Sequence, residues 1–184
     1  MFAPNYHSAM KHVGPARKKM GKKTIFNLIG PLSSPAQVKR QVIGVFDKKW
    51  MIPFAEALKE NNVLHAYIVH GEDGMDEISP FVKTNVVELK DGNINKLVID
   101  PKDLGIVSTN KENLKGKNAK FNSEKIIEIF KGEFNVFSQA VALNVAAGLI
   151  VSGVEKNFEL AFKKTSEHLK TGKVYQHLIK LQSI

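Results

Sequence analysis

Apolar positions follow one spacing in the first two thirds of this chain and another in the last third. "QVIGVF" at 41–46 and "HAYIVH" at 65–70 are short apolar runs bounded by polar residues, the pattern of buried strands. "TIFNLI" at 24–29 reads the same way and runs into the turn "GPLSSP". Between the strands, "MIPFAEALKENN" carries apolar residues at helical spacing. "NVVELKDGNINKLVID" at 85–100 predicts two strands joined through the turn-former Asp91-Gly92. Nearer the start, Ser8 can cap a short helix, and Pro15 suits the first turn of a second that Gly21 would end. Beyond residue 120 the spacing is helical throughout, in "SEKIIEIFKGEF", "VFSQAVALNVAAGLIVSGV" and "NFELAFKKTSEHLKTGKVYQHLIKLQSI". The second is rich in small residues, as expected of a helix packed closely on a sheet. Strands alternating with helices, then a helical cluster, predict an α/β fold with a largely parallel sheet flanked by helices. No repeat, low-complexity stretch or linker interrupts it, so 1–184 is expected to be a single domain.

Composition narrows the class. With 184 residues, 43% of them hydrophobic, the chain is long enough to bury a sizeable core. No apolar run approaches the ~20 residues that span a bilayer. The start "MFAPNYHSAMK" has no charged leader followed by an apolar block, so no signal peptide is expected. Cysteine is absent, which excludes disulfides, thiolate metal sites and a cysteine nucleophile. A soluble, cytoplasmic protein is the expectation. The formal charge of +9 points towards nucleic acid. Against that, lysine supplies nearly all of it, and Arg17 and Arg40 are the only arginines. Base readout favours arginine, and stacking platforms need aromatics interleaved with the basic residues, which are not seen. The lysine excess therefore reads as a solvated surface, with "RKKMGKK" at 17–23 left as a candidate anion site.

The chemistry concentrates in "HGEDGMDEISP" at 70–80, where Asp76 and Glu77 stand side by side on a glycine-hinged loop just past a buried strand. Ligands of open α/β sheets bind outside the carboxyl ends of the strands, where this loop lies. Adjacent carboxylates without nitrogen or sulfur donors suit a hard cation, Mg²⁺ above others, shared with substrate phosphates. The alternative is a surface loop whose acids only aid solubility. "GEDG" is neither a Walker loop nor a dinucleotide fingerprint. His7, His12, His65 and His70 lack metal spacing and read as structural. In a chain that uses lysine as its default cation, Arg17 has the planar fork that a carboxylate takes in two hydrogen bonds. An ordinary exposed arginine is the competing reading.

Three segments resemble one family. "FAPNYHSAMKHVGPARKKMGKKTIFNLIGPLSSPA" is similar to the stretch of the anthranilate phosphoribosyltransferase family that runs through its anthranilate site. "HGEDGMDEISP" resembles that family's Mg²⁺ loop, and "VALNVAAGLIVSG" its long C-terminal helix. The similarity is collinear over essentially the whole chain. It implies the C-terminal α/β domain of a nucleoside phosphorylase-like phosphoribosyltransferase. The implied reaction is transfer of phosphoribose from phosphoribosyl pyrophosphate to the amino group of anthranilate, in tryptophan biosynthesis. By the resemblance, Asp76 and Glu77 bind the Mg²⁺ that also holds the pyrophosphate, Arg17 contacts the anthranilate carboxylate, and His7 lines the same channel. No nucleophilic side chain is expected, because the amine of anthranilate itself attacks the sugar.

The departures are as informative. Ser8 stands where the family usually has proline, and Lys23 where arginine is common before "TIFN". The family's N-terminal half, with the Gly-Thr-Gly-Gly-Asp loop that cradles pyrophosphate, has no counterpart in this sequence. The chain is therefore expected to be the C-terminal part, roughly half, of such an enzyme, and inactive alone. Self-association, or a separately supplied N-terminal half, follows as a further expectation. The competing function is a non-catalytic, nucleic-acid-binding relative of the same fold. Retention of Arg17, Asp76 and Glu77 favours the transferase.

Overall fold

The computed structural model describes residues 12, 14, 19–21, 28–107 and 110–183. Contacts divide the chain into two compact units, Met1–Val38 and Lys39–Ile184. In the first, Lys19 and Met20 are helical and Gly21 is not, so the helix stop falls where it was expected. Ser8, Pro15 and residues 24–27 of the expected first strand lie outside the described residues, and Leu28 and Ile29 already belong to a turn. The "GPLSSP" turn contains a short 3-10 helix, Pro31–Ser33, closed by the Ser33 hydroxyl donating to the Ile29 carbonyl at 2.8 Å.

The second unit carries the sheet. Its elements are β1 (Arg40–Gly44), α1 (Met51–Glu60), β2 (His65–Gly71), β3 (Thr84–Lys90), β4 (Asn93–Ile99), α2 (Ala119–Phe130), α3 (Val136–Ser152), α4 (Phe158–Lys170) and α5 (Lys173–Gln182). The strands lie in the order β1-β2-β3-β4. β1 and β2 are parallel, with Gly44 opposite Val69, and α1 is their crossover. β2–β3 and β3–β4 are antiparallel. The α/β class is as expected, but the sheet is mixed, and among the described strands only β1–β2 is parallel. The reason is local. Residues 72–83 between β2 and β3 form no crossover helix, and Asp91 and Gly92, with φ of +49° and +80°, make a two-residue hairpin turn between β3 and β4.

Alternation along β2 and β3 sends side chains to two cores. Tyr67, Val69 and Val86 face α3, whose Ala142, Leu143, Ala146 and Ala147 are fully buried. Small side chains let α3 lie close to the sheet and take α4 on its other flank through Ala161 and Phe162. The opposite face buries Ala66, Ile68, Val87 and Leu89, and there α1 packs with Met51, Phe54, Ala55 and Leu58. His65 and Glu88 form a buried pair at 2.9 Å on the α3 face, and the His65 ring meets Tyr67 edge-on. Burial, with Glu88 adding to it, pushes the Tyr67 phenol up to about 12.

Asparagines start three of the helices. Asn118 accepts from the Phe121 amide, Asn157 from Leu160, and Asn135 forms a reciprocal capping box with Ser138. Asn118 starts α2 ahead of the expected "SEKIIEIF". Arg40 Nη1 donates to the Val151 carbonyl at 2.7 Å, so one of the two arginines closes the C-terminus of α3. The last helical stretch divides at Gly172 (φ +70°) into α4 and α5. A Cβ on Gly172 would lie 3.0 Å from the Lys131 carbonyl oxygen, and one on Gly132 (φ +105°) 2.7 Å from the Lys170 oxygen. Each of these glycines admits the end of the other's helix.

Candidate functional site

β1 and β2 run parallel, so their carboxyl ends open on the same side, and the acidic loop leaves from that end of β2. The loop is fastened by its own main chain: the Gly71 amide donates to the Met75 carbonyl at 2.8 Å and Glu72 to Lys83 at 2.9 Å. Asp73 turns inward. Its side chain is 1% exposed, accepts the Ser79 hydroxyl at 2.8 Å and the Met75 amide at 3.3 Å, and lies 3.6 Å from Lys111 Nζ. Ser79 in turn accepts from the Phe81 amide, and its own amide donates to Thr84 Oγ1. A buried carboxylate that is hydrogen-bonded and faces a lysine is already matched, so Asp73 is a brace within the loop.

Asp76 and Glu77 differ. Both are exposed, and among the described residues neither has a hydrogen bond or ion pair. They edge a cleft of about 910 Å³ whose wall includes Gly44 of β1, Phe137 and Asn144 of α3, and Lys125 of α2. Lys125 is engaged by Glu128 at 2.5 Å, and that hydrogen bond holds its ammonium above the usual lysine range. Among the described residues the cleft therefore presents two unmatched negative charges and one matched positive one. Among the described residues no group of three or more His, Cys, Asp or Glu side chains could hold a metal. Two accessible carboxylates fit the donor set of Mg²⁺, which takes one or two carboxylates and completes its octahedron with water and substrate phosphates.

The structure thus sets Asp76 and Glu77 in one cleft, while His7 and Arg17 lie outside the described residues. His65 is buried against Glu88, and His70 Nδ1 lies 2.8 Å from the Val45 carbonyl oxygen, so both have the structural roles expected of them. His12 is exposed. Sequence reasoning did not single out Gly44 or Asn144. A Cβ on Gly44 would lie 1.4 Å from the Asp76 carbonyl oxygen. The Asn144 carboxamide is hydrogen-bonded to the main chain of Ile78. The one local signal was the glycine inside "QVIGVF", since glycine within a strand marks close backbone approach.

Comparison with known proteins identifies the family of the chain. The family model described as "Glycosyl transferase family, a/b domain" matches residues 1–175. Anthranilate phosphoribosyltransferase of Pelagibacter ubique is 58% identical over all of this chain and 56% of its own length. The crystal structure of anthranilate phosphoribosyltransferase from Thermus thermophilus superposes with a TM-score of 0.85 at 34% identity, over 95% of this chain and 51% of that one. The Saccharomyces cerevisiae enzyme, solved in complex with phosphoribosyl pyrophosphate and Mg, superposes with a TM-score of 0.81 at 25% identity, over 92% of this chain and 49% of that one. The chain spans about half the length of the relatives it matches. Family match, identity and fold agree: the chain belongs to the glycosyl transferase family as its α/β domain, among relatives named anthranilate phosphoribosyltransferase.

Proposed function

We propose that this chain provides the acidic-loop half of an anthranilate phosphoribosyltransferase active site, in which phosphoribose passes from phosphoribosyl pyrophosphate to the amino group of anthranilate. The observation that carries the reading is the pair Asp76 and Glu77, unmatched and accessible on a loop whose other acid, Asp73, is fully used. A nucleic-acid binder has no use for such a pair, whereas a pyrophosphate-releasing enzyme does. Asp76 and Glu77 hold Mg²⁺, and the cation, when bound, neutralises charge on the departing pyrophosphate. Arg17 takes the anthranilate carboxylate with its fork, and His7 lines the same channel. The amine nitrogen forms the new bond to the sugar as the bond to pyrophosphate breaks, and a proton leaves the nitrogen. No side-chain nucleophile is needed. The protein's part is to hold two substrates in line and to stabilise developing charge. The setting is cytoplasmic tryptophan biosynthesis.

Whole activity needs the portion of the relatives that this chain does not match, because catalysis by positioning tolerates little displacement of either substrate. The test joins the unmatched portion of the Pelagibacter ubique relative to this chain and follows loss of anthranilate fluorescence. Turnover should require phosphoribosyl pyrophosphate and Mg²⁺. It should fall, or demand far more Mg²⁺, when Asp76→Asn and Glu77→Gln are combined, while the chain alone stays inactive. A folded chimera that consumes no anthranilate, or a double variant whose Mg²⁺ titration overlays the parent's, would overturn the proposal.

A further inference from the structure

Among the described residues the side chains of Asp76 and Glu77 have no partners of their own, so the main chain around them sets where they point. Besides the hydrogen bonds within the loop, that main chain has two anchors remote in sequence. On one side the Asp76 carbonyl rests against Gly44, in the space a side chain would occupy. On the other side Asn144, midway along α3, grips Ile78. The Ile78 amide donates to Asn144 Oδ1 at 3.0 Å, and Asn144 Nδ2 donates to the Ile78 carbonyl at 3.3 Å and to that of Ala140 at 2.9 Å. Asparagine is a poor residue for a helix interior, since its side chain competes for backbone groups. Here it uses that capacity on a loop with no ladder partner to satisfy its amide. α3 is itself fixed by the core residues Leu143, Ala146 and Ala147, so the grip comes from a rigid element.

We propose that Asn144 is a positioning residue for the acidic pair. By fixing the main chain at Ile78 it sets the directions in which Asp76 and Glu77 leave the loop, and so holds the two carboxylates together for one divalent cation. This rests on reading that pair as the cation's ligands, and the experiment separates the two ideas.

The purified chain is compared with Asn144→Ala, Asn144→Ser, Asn144→Asp and the Asp76→Asn/Glu77→Gln double variant. Amide hydrogen exchange is read by NMR, and Mn²⁺ serves as a paramagnetic probe of the loop. In Asn144→Ala and Asn144→Ser the Ile78 amide should exchange roughly tenfold faster, with Ala66 and Ile68 in β2 unchanged as the reporters of folding. Asn144→Asp keeps an acceptor for that amide and should keep its protection. Broadening of the Asp76 and Glu77 amides should need several-fold more Mn²⁺ in the alanine and serine variants than in the parent. Unchanged Ile78 exchange overturns the proposal. So does faster exchange with a parental Mn²⁺ response, because the grip would then not govern the pair. If the double variant broadens like the parent, the cation reading fails instead, and Ile78 exchange still decides what Asn144 does.

Discussion

Replacing Gly44 by alanine should dislodge the acidic loop while leaving the sheet in place. The new Cβ would fall 1.4 Å from the Asp76 carbonyl oxygen, 2.5 Å from its carbon and 3.2 Å from its Cα. Ordinary contact begins near 3.4 Å, which leaves about 2 Å to be made up. β1 cannot supply it, being paired to β2 in register, with the Val45 amide donating to the Val69 carbonyl at 3.0 Å. The loop must move, against the hold of Asn144 on Ile78. Overpacking of this kind costs about 1–3 kcal/mol. That is a large share of the roughly 5–15 kcal/mol by which domains are stable. The chemical consequence is larger, since about 1 Å of misplacement in a positioned site costs ~100-fold in rate. Urea unfolding of the chain, followed by circular dichroism, should show the midpoint lowered by roughly 1 M at an unchanged slope. The amide shifts of Met75–Ile78 should move while those of β2 stay. A Gly44→Ala chain with the parental midpoint and parental loop shifts would refute the argument that this contact is tight.

Arg17→Ala in the chimeric enzyme should weaken anthranilate use by roughly 10–150-fold, the worth of a charge-assisted hydrogen bond, and Arg17→Lys should recover only part. Unchanged anthranilate dependence in steady-state kinetics would remove the assignment. Tyr67 should make the fold labile in alkali. Its phenol titrates at about 12 when folded, against an unfolded value of ~10. The folded chain then keeps a proton that the unfolded chain has lost. Stability is whole below about pH 10 and declines as pH rises towards 12. Tyr67→Phe should flatten that decline in urea midpoints, and equal slopes would count against it. Asn135→Ala removes the α3 capping box and should cost about 0.5–2 kcal/mol of unfolding free energy. A change well below that, by the same unfolding measurement, would mean that packing alone starts this helix.

Strands β1 to β4, the Asp91-Gly92 hairpin and the acidic loop were legible because each is local: period, turn chemistry and composition lie within a few residues. The sense of the sheet was not. Alternating strands and helices read as parallel, and the antiparallel return of β3 beside β2 comes through the irregular stretch 72–83, which has no helical period. Asp73, Asp76 and Glu77 look alike in sequence, and only burial divides the braced acid from the two free ones. Asn144 left no local trace, since its partner Ile78 is 66 positions away. Arg40, the other arginine, had no role legible in sequence and is occupied at a helix end 111 positions away. Gly172 was overlooked inside a long helical period that resumes directly after it.

The crossing at Gly132 and Gly172 bears on which sequences this fold permits. Each glycine leaves room for a carbonyl at the end of the other's helix, and the space belongs to both at once. A Cβ at either position crowds a carbonyl one or two residues before the second glycine. The two sites, forty positions apart in numbering, therefore behave as one allele. Part of the penalty is shared, because the same junction opens, but each position keeps its own backbone strain, with φ of +105° at Gly132 and +70° at Gly172. A double replacement should therefore cost less than the sum of the two single ones and still be unfavourable, so that both positions stay glycine together.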